Sequence, residues 1–295
     1  MSLSSIGGGS VTAFAALPTL SPAFRLSTYT GLPQYASGME VVDFISRERL
    51  RTYRVVTDSD KKAIALHNHT LQLGSSLMSM IALIELSLRN STNQRLSEDF
   101  GDHEWLLPGR AALPLQPDLA RMISKATSDA RKAAYSKLSY RQKNSLDARA
   151  FPQGVPSNFS HSRIVKKRQE LLDVTHGQIL AQTTLGFWKR LYSSDYEVTL
   201  WKPSLKRVFP DKALKRSAIS KNIETIYATR NRVAHHEPVY GDRLDDAMAA
   251  IAFIRNALGC RHCGDESSFR RFSTVHHLRL RMDYESFVDA WHTLT

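Results

Sequence analysis

The sequence predicts an all-α protein in which helices form a bundle around one core. Apolar residues recur with the spacing of a helix in several long segments, and no alternating polar–apolar run is long enough to predict a sheet. Stretches containing Gly and Pro separate these segments. The chain has 295 residues, of which 42% are hydrophobic, so it can bury a sizeable core.

The longest predicted helix runs from Ser59 to about Leu96. Its apolar stripe occupies positions i, i+4, i+7, i+8, i+11 and i+15 and consists of Leu73, Leu77, Met80, Ile81, Ile84 and Leu88. Asp58 and Ser59 provide N-cap chemistry at its start. Gly74 is a position at which so long a helix could kink or divide. The stretch that follows, DFGDHEWLLPGRAALPL, is typical of a loop.

Shorter helices are predicted along the rest of the chain. Their ranges are a basic helix over 117–147, a helix from Ser160 to about Tyr192, a helix from Ser217 to the histidines at 235 and 236, a helix over 243–258 that Gly259 terminates, and a last helix that starts at Asp283. Pro238 disfavours α-helical geometry at Glu237, so the helix that carries the histidines must end close to this point.

Three regions follow from this pattern. Residues 1–38 are rich in Gly, Ser and Pro, contain no acidic residue and lack the charged start of a signal peptide, so we expect a disordered tail. Residues 39–259 form the predicted helical domain, and residues 260–295 form a C-terminal helical extension.

The charge of the chain favours polyanionic partners. The formal net charge is +12, and the surplus is local: residues 121–170 hold twelve basic and three acidic side chains, and residues 201–235 hold nine basic and two acidic ones. Such a surplus favours nucleic acid first and an anionic membrane surface second. The basic segments lack a strong aromatic face, which disfavours the membrane. The alternative is that these charges form ordinary solvated faces.

The two cysteines, Cys260 and Cys263, are too few for a disulfide framework and predict a cytoplasmic protein. A zinc site would need two more ligands, and the spacing to His262, His276 and His277 matches no common zinc finger. We therefore predict no metal and no cofactor. No apolar run approaches the roughly 20 residues that a membrane span requires.

A candidate site lies in ETIYATRNRVAHHEPVY, residues 224–240. Asn231 and His235 are four residues apart and share a helix face, whereas Arg230 lies about 140° from His235 on an ideal helix. Either the helix loosens before Pro238, or the two groups belong to different halves of a composite site. Arg and His also suit the last turn of any helix, because they interact with its free carbonyl groups.

These residue types suit cleavage of RNA. The 2′-hydroxyl is a built-in nucleophile, so the reaction needs no metal. A histidine can move protons near neutral pH, and a guanidinium can stabilise the negative charge that develops on the phosphorus centre. The adjacent Asn231 could hold the histidine or a phosphate oxygen.

A second group of polar residues, Glu85, Arg89 and Asn90, borders the apolar stripe of the long helix. Glu85 and Arg89 are an i,i+4 pair in the favourable order, which by itself predicts a surface salt bridge. Alternatively, the carboxylate could orient Arg230 or His235 from across the bundle.

Four segments, in this order, resemble the Abi-like family of bacterial abortive-infection proteins, which belongs to the HEPN superfamily. They are SRERLRTY, LIELSLRN, LGFWKRLYSSDYEVTLWKPSLKRVFP and RNRVAHHEPVY, and the resemblance covers residues 42–258. It implies an all-α bundle and, for many HEPN proteins, a metal-independent endoribonuclease. The signature of these nucleases is an Arg followed directly by a polar residue, with four to six residues between the Arg and a later His. Arg230, Asn231 and His235 match this signature, and His236 also fits.

The resemblance implies further properties. HEPN sites resemble composites of two copies, which implies a homodimer, and cleavage would leave a cyclic phosphate and a 5′-hydroxyl. Glu85, Arg89 and Asn90 match the first polar segment of the family, where a supporting role is expected. The biological role by analogy is defence against phage. In similar toxin–antitoxin pairs a tyrosine shortly after the histidine is nucleotidylated by the antitoxin, and Tyr240 occupies a comparable place, although it is also typical of a turn.

Some HEPN domains only bind nucleic acid or partners. The alternative function is therefore a non-catalytic RNA-binding or sensor protein of a defence system.

Overall fold

The computed structural model describes residues 41–110, 113–259 and 267–295, and throughout these residues it contains helices and no strands. The α-helices are α1 (Val41–Ile45), α2 (Arg47–Arg54), α3 (Asp60–Phe100), α4 (Pro117–Ser136), α5 (Tyr140–Ser145), α6 (Asp147–Ala150), α7 (His161–Glu170), α8 (His176–Gln182), α9 (Leu185–Leu191), α10 (Arg216–Ala234), α11 (Asp242–Leu258) and α12 (Ser268–Leu294). Short 3-10 helices at Ser194–Tyr196 and Leu205–Val208 and a π-helical turn at Glu197–Trp201 join α9 to the segment before α10. The all-α prediction is confirmed. The tail predicted over 1–38 lies outside the described residues.

The chain divides into two compact units, residues 1–45 and residues 46–295. Helix α1 is the described part of the first unit. The second unit is a helical bundle with α3 at its centre, and α2, α10, α11 and α12 pack against α3. Because α12 packs along α3, residues 267–295 belong to the same bundle as the segments before them, and do not form an appendage to it.

The central helix α3 follows its predicted stripe. All six stripe positions from Leu73 to Leu88 are buried, and the Ser59 side chain caps the helix by accepting a hydrogen bond from the Lys62 backbone N–H. Gly74 does not divide the helix, which is continuous from Asp60 to Phe100. A Cβ at Gly74 would lie 3.2 Å from Val233 Cγ1, so the missing side chain lets α10 approach α3 closely.

The expectation that no segment approaches the length of a membrane span needs correction. An 18-residue window of α3 has a mean hydropathy of 1.5, which makes this helix long and apolar enough to cross a membrane. The small polar residues Ser and Thr within α3 lower the local hydropathy only slightly, which is why a count of uninterrupted apolar residues missed it. The central helix of a bundle has the same composition, because the neighbouring helices bury much of its surface.

Two predicted helices are interrupted. The helix predicted over 117–147 ends at Ser136, and α5 starts after Ser139 with a capping box. The helix predicted from Ser160 to Tyr192 consists of α7, α8 and α9. The break before α8 has a local cause, since the Thr175 side chain and Gln178 form a second capping box.

Helix α12 begins fifteen residues earlier than predicted, since Ser267 caps it by accepting a hydrogen bond from the Arg270 backbone N–H at 3.2 Å. The first half of α12 buries little, and Phe272, Val275 and Met282 are exposed. The sequence there has no apolar stripe that would reveal a core-facing helix. Asp283 is not an N-cap: it lies within the helix, and its side chain is buried.

A half-buried histidine at the start of α8 predicts a pH dependence of stability. His176 Nε2 lies 2.9 Å from Asn93 Oδ1, which also accepts a hydrogen bond from Trp105 Nε1 at 3.1 Å, so Nε2 must carry the proton of a neutral ring. The Nδ1 atom of His176 is then buried without a partner among the described residues. Burial lowers the pKa of His176 below its ordinary value.

A histidine whose pKa is lowered on folding binds more protons in the unfolded chain. Its contribution to stability is therefore present above the unfolded pKa of about 6.5 and is lost as the pH falls from there through the folded pKa. We expect the free energy of unfolding of the wild type to fall between about pH 7 and pH 5, and to fall less steeply in His176→Gln, with a difference below about 1.4 kcal/mol per pH unit. Urea unfolding at several pH values measures this slope. His292→Gln, at an exposed position of α12, should leave the slope unchanged, and an unchanged slope in His176→Gln would contradict the prediction.

Candidate functional site at the C-terminal end of α10

Helix α10 ends where the sequence requires it to end. His235 is the C-cap residue, and its backbone N–H donates to the carbonyls of Asn231 and Arg232. The chain then turns sharply, because His236 adopts a left-handed conformation with φ of 54° and the Glu237 N–H returns to the Arg232 carbonyl at 2.8 Å. This conformation is uncommon for a residue other than glycine, although histidine tolerates it better than most.

Arg230, Asn231 and His235 lie along the last turn of α10. The half-buried guanidinium of Arg230 donates through Nη1 to Asn231 Oδ1 at 3.4 Å, so the arginine side chain bends towards Asn231. Asn231 and His235 share a face of the helix, and the imidazole of His235 is exposed. Asn231 therefore lies between the arginine and the histidine, and it partly closes the angular gap that an ideal helix leaves between them.

Arg230 forms no ion pair with any described residue. The neighbouring Arg232 differs, because its Nη1 lies 3.1 Å from Glu237 Oε2 and its Nη2 donates to the Pro238 carbonyl at 3.4 Å. Arg232 thus braces the turn after the helix. Arg230 therefore keeps its charge available for an anion.

The two histidines have different surroundings. His236 lines a pocket of about 390 Å³ between α2, α3 and the end of α10, and His235 is not part of its lining. The His236 carbonyl accepts a hydrogen bond from Arg49 Nη1 of α2 at 3.1 Å, which fixes the turn. The structure therefore groups His235 with Arg230 and Asn231, and groups His236 with Arg49 and the pocket.

The second polar group on α3 lies away from the histidines. Residues at the end of α10 line the pocket together with α3 residues as far as Met78, and Glu85 lies roughly 10 Å further along the α3 axis, with Arg89 roughly 16 Å beyond Met78. The other end of α10 lies near Thr92, since Tyr192 bonds both to Thr92 and, through its carbonyl, to Arg216. No hydrogen bond or ion pair joins Glu85 to Arg230 or His235 among the described residues.

The predicted ion pair between Glu85 and Arg89 is not formed between these two described side chains. Arg89 Nε instead donates to Asn90 Oδ1 at 3.3 Å, which repeats the Arg230–Asn231 arrangement one helix away. Both Arg89 and Glu85 are half-buried, and Asn90 is exposed.

Tyr240 is half-buried, and its ring stacks on Trp291 of α12 with a centroid distance of 5.1 Å and an interplanar angle of 29°. This contact ties the turn after the histidines to the last helix. Tyr240 therefore has a packing role in addition to any role in regulation.

Sequence reasoning missed three residues beside the site: Arg49, Tyr53 and His67. Arg49 and Tyr53 belong to SRERLRTY, whose fold into α2 against α3 could not be read from the segment itself. His67 gives a usable signal, because it is a titratable residue on the helix face that also carries Thr70 and Gly74. Its side chain is buried, and its Nδ1 has no partner among the described residues.

The two basic segments carry charge on exposed surfaces. The exposed basic side chains of the first segment include Arg121, Lys125, Lys137, Arg141, Arg149 and Lys166, and those of the second include Lys202, Lys206, Lys212, Lys215 and Lys221. Others are neutralised locally: Arg168 pairs with Asp147 at 2.7 Å, and Arg216 pairs with Glu197. The exposed basic side chains leave positive charge at the surface of both segments.

Within the part of the chain that the structure describes, no group of three or more His, Cys, Asp or Glu side chains could hold a metal ion. Cys260, His262 and Cys263 lie outside the described residues. Of the two other histidines considered, His276 is exposed and His277 is half-buried on α12.

No family model, no curated protein and no solved structure matches this chain.

Proposed function

We propose that the protein is a metal-independent endoribonuclease of the HEPN type, acting in a bacterial abortive-infection or toxin–antitoxin system against phage. The observation that supports this proposal most is the row of Arg230, Asn231 and His235 at the exposed end of α10, in which the arginine has no ion pair among the described residues. A guanidinium and an imidazole that solvent can reach are the two groups that phosphodiester cleavage requires when the nucleophile is the 2′-hydroxyl of the RNA itself.

In this mechanism the 2′-oxygen attacks the adjacent phosphorus and the bond from phosphorus to the 5′-oxygen breaks. His235 removes the proton of the 2′-hydroxyl or donates a proton to the departing 5′-oxygen, and Arg230 stabilises the charge on the phosphoryl oxygens. Asn231 positions Arg230 through the hydrogen bond to its Oδ1. The products are a cyclic phosphate and a 5′-hydroxyl. We prefer His235 to His236, because His236 lies in the pocket wall rather than beside Arg230 and Asn231.

The histidines of two copies of the chain would supply an acid and a base together, so we propose that the active form is a homodimer. Glu85, Arg89 and Asn90 could then act only across the dimer, because α3 carries them away from the histidines of their own chain. The exposed basic faces over 121–170 and 201–235 would attract the RNA backbone and make binding sensitive to salt.

The biological setting follows from the same proposal. A nuclease that cuts host or phage RNA has to be held silent until infection, for instance by an antitoxin, and modification of Tyr240 is one route. This route requires Tyr240 to leave its stacked position on Trp291. We place the protein in the cytoplasm, where its RNA substrate is found.

Cleavage of single-stranded RNA by the purified protein tests the function. We expect cleavage to continue in the presence of EDTA, and the fragments to carry a cyclic phosphate and a 5′-hydroxyl, because the 2′-hydroxyl replaces an activated water. The end groups can be read by enzymatic phosphorylation, which labels a free 5′-hydroxyl directly. Loss of activity in EDTA, with recovery on adding a divalent metal, would contradict the metal-independent mechanism. Salt-sensitive RNA binding without cleavage would favour the non-catalytic RNA-binding or sensor protein.

A further inference from the structure

The pocket of about 390 Å³ at the end of α10, which we call the His67 pocket, has the properties of a small-molecule site. Its size lies within the range of about 300–1,000 Å³ that such sites occupy, and they are mostly apolar with a few polar groups that set orientation. The apolar walls of the His67 pocket include Leu71, Leu77, Met78 and Val239.

The polar groups that line the pocket come from α2, from α3 and from the turn after α10. His67 of α3 lines the pocket and is 6% exposed, and its Nδ1 is buried without a partner among the described residues. The Tyr53 ring packs edge-on against His67 with a centroid distance of 5.6 Å, which holds the imidazole in place.

The pocket wall includes His236, the residue that follows His235 of the proposed catalytic row. His236 has a left-handed conformation, and its carbonyl accepts from Arg49 while its N–H donates to the Val233 carbonyl. Such strain at a residue other than glycine is typical of functional positions. Beside this wall, Glu237 is paired with Arg232, while Arg49 forms no ion pair with a described residue.

We propose that the His67 pocket holds one unpaired nucleobase of the RNA that the nuclease cleaves, an inference that rests on the function proposed above. A mostly apolar pocket whose lining includes the Tyr53 ring and the His67 imidazole suits a base, which has two flat faces and a polar edge. Proteins that recognise single-stranded RNA take bases out of the stack and read their edges in this way. The sugar–phosphate that follows the base would lie at Arg49 and His236, one residue from His235.

The proposal assigns two separable roles. The side chain of Leu71, 44% exposed, forms part of the pocket wall and controls entry, and the imidazole of His67, which also lines the pocket, reads the edge of the base. Occupancy therefore depends on Leu71, whereas the preference among bases depends on His67.

Binding can be tested without cleavage in the His235→Ala background by titrating the four nucleoside 5′-monophosphates in a calorimeter. We expect at least one to bind, and Leu71→Trp to weaken this binding by about tenfold or more by filling the slot. Leu86→Trp is the matched control, because Leu86 is on the same helix, is also 44% exposed and does not line the pocket. His67→Gln, which keeps a hydrogen-bonding side chain, should change the ranking of the four bases.

Cleavage-site mapping on RNA of random sequence is the second measurement. We expect the active protein to prefer one base beside the cut, and Leu71→Trp to cut with this preference weakened. If every variant cuts with the same preference and no monophosphate binds, the pocket proposal is wrong and the nuclease proposal stands. If no RNA is cut but a monophosphate binds and Leu71→Trp weakens it, the nuclease proposal fails and the base pocket remains.

Discussion

Replacing His235 with alanine is expected to lower the rate of RNA cleavage by a factor of about 10² to 10⁴, the usual contribution of a general acid or base. The imidazole is exposed at the end of α10 and caps the helix only through its backbone N–H, so its removal should leave the fold intact. The measurement is the single-turnover cleavage rate of a labelled RNA. In cells, the same substitution should remove any toxicity of the expressed protein.

His236→Ala is the matched control, because it is the adjacent exposed histidine and lies in the pocket wall. We expect it to retain most of the cleavage rate and to change the position of the cuts. If His236→Ala is inactive while His235→Ala is active, the general acid or base is His236 and not His235. Arg230→Lys adds a second check, since a lysine keeps the charge but loses the paired donors, and it should be slower than wild type although folded.

The largest expected change in stability is for Asp283→Ala. The Asp283 carboxylate is buried in the contact between α12 and α3, where it accepts hydrogen bonds from the Ser76 hydroxyl, from Gln72 Nε2 at 3.4 Å and from Arg279 Nε at 2.9 Å. Alanine leaves the Ser76 donor without its partner and removes charge-assisted bonds. We expect the free energy of unfolding to fall by about 2–4 kcal/mol, measured by urea unfolding followed by circular dichroism.

Glu285→Ala is the control for this prediction. Glu285 forms the same i,i+4 pair with Arg281 on the same helix, but both side chains are 61% exposed and the atoms lie 3.4 Å apart. Such exposed pairs contribute about 0.3–0.5 kcal/mol, so the two substitutions should differ severalfold. An equal effect of both would mean that the buried carboxylate does not hold α12 to α3.

Helix positions with strong local signals could be predicted from the sequence alone. The α3 stripe, the Ser59 cap, the end of α10 before Pro238 and the Gly259 stop of α11 all depend on residues within a few positions of one another. The start of α12 could not be predicted in this way. Its first half contributes few buried residues, so the apolar period that reveals a helix is missing there.

The same distinction between local and long-range contacts applies to the candidate site. Arg230, Asn231 and His235 are neighbours in the chain, and their shared helix turn could be derived from their spacing. The supporting role of Glu85 depended on how far along α3 the end of α10 lies, and the sequence contains no measure of that distance. The close approach of Val233 to Gly74 places the end of α10 beside the first half of α3, whereas Glu85 lies further along α3.

The sequence by itself determined the helical class, the basic surplus and the arginine–histidine pattern, because composition and short-range periodicity are properties of the chain. Only the tertiary structure decided that His236 lies in the pocket wall while His235 lies outside it, that Arg49 holds the turn, and that His67 is a buried imidazole at a cavity. The physical reason is that these contacts join α2, α3 and α10. Packing of apolar faces brings residues close that are far apart in sequence, and no local pattern records which of them will meet.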